Sequence, residues 1–351
     1  MADKSAIEWT DATWNPIRAR NLRTGKVGWH CEHATTGCEF CYAEGFNKRL
    51  GTGLPFKPGH RKDIELFLDD KMLTQPLRWK KPRMIFVCSM TDLFADFVPD
   101  EWIDRMFAVM ALSPQHTFQV LTKRPERMRE YFSGSPIEIC RRVADASTGR
   151  GGCFTADDLW TMWPLPNVWL GVSAERQQEA DDRILWLLET PAAVRFISAE
   201  PLLGPLDLTM VQRRHWARTQ HMNVLTGKAN PSLEGVAPKA TLDWVIVGGE
   251  SGRGARPMHP DWPRSLREQC AAADVAFFFK QFGEYAPSSE QEWADDDGSH
   301  HHLLVAPDGR YGDTVADLLT MPKGAAWLRR VGKAKAGRLL DGLEHNGMPG
   351  S

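Results

Sequence analysis

The sequence predicts an α/β fold, a partial (open) TIM-like barrel of six or seven parallel strands. Two observations predict it. Short, nearly continuous apolar runs recur along the chain and each ends in polar residues, as strands buried on both faces do. Helical patterns lie between several of them, and strands alternating with helices imply βαβ units with right-handed crossovers. The carboxyl ends of all strands then share one edge, where α/β enzymes place their chemistry.

The strands are read in order. A first strand is expected near residues 7–13. Met84-Ile85-Phe86-Val87-Cys88 ends in Ser89 and Asp92, and Thr117-Phe118-Gln119-Val120-Leu121 ends in Lys123 and Arg124. Val168-Trp169-Leu170-Gly171-Val172 ends in Ser173, Glu175 and Arg176, and Val194-Arg195-Phe196-Ile197 ends in Ser198 and Glu200. Trp244-Val245-Ile246-Val247 ends in Gly248-Gly249-Glu250, and Val275-Ala276-Phe277-Phe278-Phe279 ends in Lys280. Trp102, Ile103, Met106, Phe107 and Met110 repeat at helical spacing after Pro99-Asp100, and Ile184, Leu185, Leu187 and Leu188 repeat likewise. Pro263 opens a further helix that Asp274 ends.

Two stretches interrupt the pattern and read as insertion loops, near 133–166 and 209–240. The second holds Arg213, Arg214, Arg218, Lys228 and Lys239 around Trp216, the composition of a phosphate-tracking lid with a ring to stack on a base. The barrel is expected over 1–285. Residues 286–351 form a C-terminal extension packed on it, loop-like over 288–312, with a basic helix over 327–340.

The chain has 351 residues, 25% charged and 42% hydrophobic, with a net charge of −2. That is an ordinary globular composition. The balance excludes a wholesale polyanion binder but leaves room for a local basic groove. No apolar run approaches the ~20 residues that span a membrane, and the first residues lack a signal-peptide core. Seven cysteines, three of them clustered, fit a reducing, cytoplasmic setting.

The cluster is Cys31-x6-Cys38-x2-Cys41. Cysteines this dense in a cytosolic protein point to a metal. Structural zinc needs four ligands, and His30 or His33 would supply the fourth. A cubane iron–sulfur cluster is normally held by four thiolates, so three leave one iron open. An open iron is the basis of radical S-adenosylmethionine chemistry, in which an electron from the cluster splits the sulfonium bond. Both readings stand on spacing alone.

Four blocks narrow the choice. Ile7-Glu8-Trp9-Thr10-Asp11-Ala12-Thr13-Trp14-Asn15-Pro16 precedes the cysteines, and Gly37-Cys38-Glu39-Phe40-Cys41-Tyr42-Ala43-Glu44 closes them. With Val247-Gly248-Gly249-Glu250-Ser251-Gly252 and Phe278-Phe279-Lys280-Gln281-Phe282-Gly283, they resemble the three-Cys-motif family of phage and bacterial proteins, which is regarded as radical-SAM-like. The resemblance runs over most of the chain and implies a radical SAM type of barrel, a 4Fe-4S cluster and S-adenosyl-L-methionine. The first gap is longer than the C-x3-C-x2-C of the main pattern, and residues 17–29 read as an extra segment before Cys31.

On this reading Cys31, Cys38 and Cys41 bind iron. Ser89 and Asp92 are placed for the methionine end of the cofactor, Ser173 and Glu175 for the ribose, and Glu250 for cofactor or substrate. A nucleotide or nucleic acid, modified or repaired, is the expected substrate, and flavodoxin or ferredoxin the expected kind of electron donor. The competing expectation is a non-catalytic, zinc-stabilised module that binds nucleic acid or protein. A metal-dependent barrel hydrolase is disfavoured, since the strand ends carry few histidines.

Overall fold

The computed structural model describes residues 4–148, 154–213, 220–229, 240–314, 317 and 320–350. The chain divides into two compact units, Met1–Val172 with Trp186–Arg195, and Ser173–Leu185 with Phe196–Ser351.

In the first unit, β1 (Ala12–Trp14) is followed by the hairpin β2 (Ile17–Asn21) and β3 (Val27–Gly28). The cysteine loop and α1 (Tyr42–Leu50) come next, then β4 (Ile64–Leu68). β2 pairs antiparallel with both β3 and β4, in the order β3-β2-β4. The short α2 (Asp70–Leu73) leads to β5 (Met84–Val87), α3 (Asp100–Ala111), β6 (Thr117–Thr122), α4 (Pro125–Tyr131), α5 (Pro136–Ser147), α6 (Ala156–Thr161) and β7 (Val168–Ser173). β1 pairs parallel with β5, β5 with β6, and β6 with β7. Ile85, Val87, Phe118 and Val120 are fully buried, which is why these runs are apolar at successive positions.

α7 (Gln177–Glu189) and β8 (Val194–Ala199) follow in sequence. In the second unit, β8 pairs parallel with β9 (Trp244–Gly248), and β9 with β10 (Ala276–Gln281). Between these two strands runs α8 (Asp261–Ala273), closed by Asp274 in the left-handed region at φ 54°. Past β10 come β11 (Tyr285–Pro287), α9 (Glu290–Ala294), β12 (His302–Val305), β13 (Tyr311–Gly312) and β14 (Ala326–Arg330), and then a helix over Lys333–Ala336. The last four strands form an antiparallel sheet, β11-β14-β12-β13. The C-terminal segment lies against the parallel strands: Phe279 N–H donates to His345, and the Trp244 indole donates to the Gly347 carbonyl.

The seven parallel strands belong to one sheet in the order β1-β5-β6-β7-β8-β9-β10. This mixed α/β architecture, open at β1 and β10, is consistent with an open TIM-like barrel. Among the described residues no helix is long and apolar enough to cross a membrane.

Several expectations need correction. The first strand is Ala12–Trp14 rather than 7–13, because residues 7–10 turn: Thr10 N–H donates to the Ile7 carbonyl. Within 133–166, Pro136–Ser147 and Ala156–Thr161 are helical, and α5 buries Ile139, Cys140 and Val143 in a regular stripe. The 288–312 stretch holds a capped helix and two strands, and 327–340 begins in β14 rather than in a helix. Trp216, Arg214, Arg218 and Lys239 of the expected lid, and Cys153, lie outside the described residues.

Candidate metal and cofactor site

The cysteine loop is fastened from three sides. Asn47 of α1 is fully buried and turns its amide back onto the loop. Its Oδ1 accepts from Trp29 N–H and Thr52 N–H, and its Nδ2 donates to Thr52 Oγ1 and the Leu54 carbonyl. A Cβ on Gly28 would sit 2.4 Å from Asn47 Oδ1, so only glycine fits there. Thr91 Oγ1 donates to the His30 carbonyl at 2.6 Å, and Arg124 Nη2 to the Glu32 carbonyl at 2.8 Å. These two bonds grip the backbone on either side of Cys31.

Cys38 ends a single 3-10 turn, Thr36–Cys38, and Cys41 directly precedes α1. Ala34 N–H points at Cys38 Sγ at 3.5 Å. Cys31 and Cys41 pack against Trp29, Ala43, Phe56 and Met90. Burial pushes the Cys31 thiol up to about 12; Asp92 adds to the rise, and the Arg124 guanidinium opposes it. Burial also raises Cys41, against the N–H groups of Glu44 and Ala43 and the charge of Lys123, which favour its thiolate. None of the described cysteines is in a disulfide.

The two histidines are turned to carboxylates. His30 Nε2 lies 3.3 Å from Glu32, and its ring packs against Phe97 and Phe56. His33 Nε2 lies 2.9 Å from Glu44 Oε2. Among the described residues no group of three or more His, Cys, Asp and Glu side chains is arranged to hold a metal ion.

Behind the loop, the ends of β1, β5 and β6 share a polar network. Asp92 Oδ1 accepts from Thr122 Oγ1 at 2.7 Å and from Phe94 N–H, and its Oδ2 from Lys123 N–H and from Arg124 at 3.2 Å. Asp92 therefore spends its carboxylate on the protein and ties the β5 end to the β6 end. Ser89 Oγ accepts from Asn15 Nδ2, and the Ser89 carbonyl accepts from the Tyr42 hydroxyl at 2.7 Å. Cys88 sits at φ 56°, an uncommon backbone region for a non-glycine residue, and is buried.

The second unit holds the other expected residues. Glu175 is fully buried and pairs with Arg183 at 2.9 Å; the same guanidinium donates to the Ser173 carbonyl at 2.8 Å. Arg176 pairs with Glu179, and Lys280 with Glu200 at 2.9 Å. Glu250 takes two side-chain bonds from Arg256, at 2.7 and 2.8 Å, and one from its N–H. The Gly-Gly pair has a packing cause. A Cβ on Gly248 would lie 2.5 Å from Glu200 Oε1, and one on Gly249 2.0 Å from the Phe282 carbonyl.

A family model for proteins of unknown function, DUF5131, matches residues 4–349. The chain belongs to the DUF5131 family. No curated protein and no solved structure matches it.

Sequence reasoning on this DUF5131 protein missed Asn15 and Asn47. An asparagine gives no apolar period and no charge, so only its partners reveal it. The Thr122–Asp92 bond was missed for a similar reason, although both residues end strands where polar side chains were expected to gather.

Proposed function

We propose that this DUF5131 protein is a radical S-adenosylmethionine enzyme that acts on a nucleotide or nucleic acid. Cys31, Cys38 and Cys41 would hold a 4Fe-4S cluster. When bound, that group supplies reductive cleavage of S-adenosyl-L-methionine to a 5′-deoxyadenosyl radical. One observation carries the reading: a single loop beside the carboxyl ends of parallel strands carries three cysteines, none of them in a disulfide. The donors are of the right kind for the group. Burial raises both Cys31 and Cys41, and Arg124 at the first and Lys123 with the Glu44 and Ala43 N–H groups at the second oppose that rise; a bound metal would complete the deprotonation.

The chain's own residues have defined tasks. Arg124 and Thr91 hold the loop, and the Tyr42 hydroxyl fixes the β5 end. Ser89 would meet the methionine end. Ser173, Glu175 and Glu250 belong to the same proposal as contacts of the nucleoside end or the substrate, with Arg183 and Arg256 as the groups that orient them. An electron donor of the flavodoxin or ferredoxin kind and a cytoplasmic setting follow from the chemistry. In the zinc-module alternative His30 or His33 would bind through Nδ1 and keep its carboxylate on Nε2, as metal-bound histidines commonly do.

Anaerobic purification followed by metal and sulfide analysis separates the two. Iron and sulfide near four per chain, with 5′-deoxyadenosine formed from S-adenosylmethionine and a reductant, are expected. Cys38→Ala should abolish both. One zinc per chain and no iron would overturn the proposal.

A further inference from the structure

Helix α1 is amphipathic in the wrong sense for a helix that serves only the core. It buries Ala43, Glu44 and Asn47 and exposes Tyr42, Phe46 and Leu50, spaced four residues apart on one face. Tyr42 is 61% exposed and Leu50 60%. The pattern is local: six of the thirteen exposed large apolar side chains among the described residues lie between Leu22 and Leu50. A patch of that kind on a water-facing surface marks a binding face.

The same stretch carries the opposite charge balance to the chain. Residues 17–68 hold nine Lys and Arg against five Asp and Glu, whereas the whole chain holds 43 against 45. Arg20, Lys48 and Arg61 pair with Glu65, Glu44 and Glu32. Arg23, Lys26, Lys57 and Lys62 are exposed and make no ion pair among the described residues. The β2–β3 turn brings Arg23 and Lys26 together, and Leu22 N–H bonds the Asp63 carbonyl, which brings Lys62 alongside. Phe46 lies 6.0 Å from Trp29, which is stacked under Arg18 at 4.6 Å, and Arg49 lies over Phe46. The exposed Phe46 ring thus lies beside Arg49 and next to the hairpin that carries Arg23 and Lys26.

We infer that this face, made by the β2–β3 hairpin and the outer side of α1, binds single-stranded nucleic acid. Unpaired Arg and Lys side chains take the phosphates, and exposed rings stack on unpaired bases. A second copy of the chain is a poor occupant, because it would bring the same unneutralised cations face to face. The inference deepens the proposed function by naming its substrate class and rests on that reading only for what happens after binding.

The test is fluorescence anisotropy of a labelled 20-nucleotide single strand with the full-length protein, with no reductant or S-adenosylmethionine added. Binding is expected to weaken steeply with salt. Arg23→Glu with Lys26→Glu should weaken it at least tenfold, and Phe46→Ala roughly five- to tenfold, in the range of a lost base stack. Thermal melting of each variant checks folding, and the hairpin substitutions are exposed. Protein purified aerobically without iron should bind as the anaerobically purified protein does, so failure of the cluster reading leaves this result legible. No binding at about 100 µM protein and low salt would overturn the inference, because even non-specific binding is tighter than that. So would binding that the charge reversal leaves within twofold. A duplex of the same sequence bound equally well overturns the single-strand assignment. An acidic flavodoxin captured through Arg23 and Lys26, with no oligonucleotide bound, assigns the face to a protein partner instead.

Discussion

Arg124 donates through Nη2 to the main-chain carbonyl of Glu32 at 2.8 Å, and its Nη1 meets Asp92 at 3.2 Å. One guanidinium thus joins the end of β6, the end of β5 and the residue after Cys31. Arg124→Ala leaves a loop carbonyl and one Asp92 oxygen short of a donor. The expected cost is about 1–3 kcal/mol. Hydrogen exchange should accelerate over residues 30–41 before it changes in β5 or β6. Unchanged exchange there would show that Thr91 holds the loop alone.

Asn47 offers a sharper case. It is fully buried and satisfies two backbone N–H groups, a carbonyl and a hydroxyl. Asn47→Ala takes a partner from all four at once, leaving the Thr52 hydroxyl only its bond from Leu54 N–H, and each unmet buried group costs roughly 1–3 kcal/mol. A loss of several kcal/mol is expected in chemical denaturation, far above the ~1 kcal/mol typical of point changes. Gly28→Ala should act the same way, since its Cβ collides with Asn47 Oδ1.

Glu44 gives the loop a pH dependence. Burial pushes its carboxyl up, but Lys48, the Phe56 N–H and His33 outweigh burial and hold it below the usual glutamate range. The folded state therefore binds fewer protons than the unfolded one as acid is added. The stabilisation is fully present above the unfolded value of ~4.3 and is lost as pH falls through the lower folded value. Melting temperature against pH should fall less steeply below about pH 4.3 in Glu44→Gln than in the wild type. Parallel curves would show that Glu44 titrates alike in both states.

The sheet was legible because its strands are apolar throughout. Met84–Val87, Thr117–Thr122 and Trp244–Gly248 lie within two residues of the runs that announced them. The C-terminal sheet was not legible. Ala326-Trp327-Leu328-Arg329-Arg330 is composed mainly of good helix formers, yet it is a strand because β11 and β12 pair with it on both sides. The β2–β3 hairpin was hidden for another reason. β2 alternates over only Ile17–Asn21, with arginines on its outer face, and β3 is two residues long, so apolar content does not stand out. Among the site residues, the cysteines announced themselves by spacing. The arginines that hold Glu175 and Glu250 did not, because a charge eight or six residues away shows nothing of its direction.

That hidden pairing supports the last prediction. Glu175 is fully buried, and the side chain of Arg183 is only 5% exposed. Two charges so far from water are costly unless each compensates the other. Arg183→Met leaves the Glu175 carboxylate without its 2.9 Å partner and takes a donor from the Ser173 carbonyl. The expected loss is about 3–5 kcal/mol, the cost of breaking a buried ion pair by removing one partner. The double change Glu175→Leu with Arg183→Met removes both charges and should recover most of that loss. Urea unfolding measures it as a shift in midpoint at constant slope. A single-variant cost below about 1 kcal/mol would place the counter-charge of Glu175 elsewhere and remove Arg183 as the group that orients it.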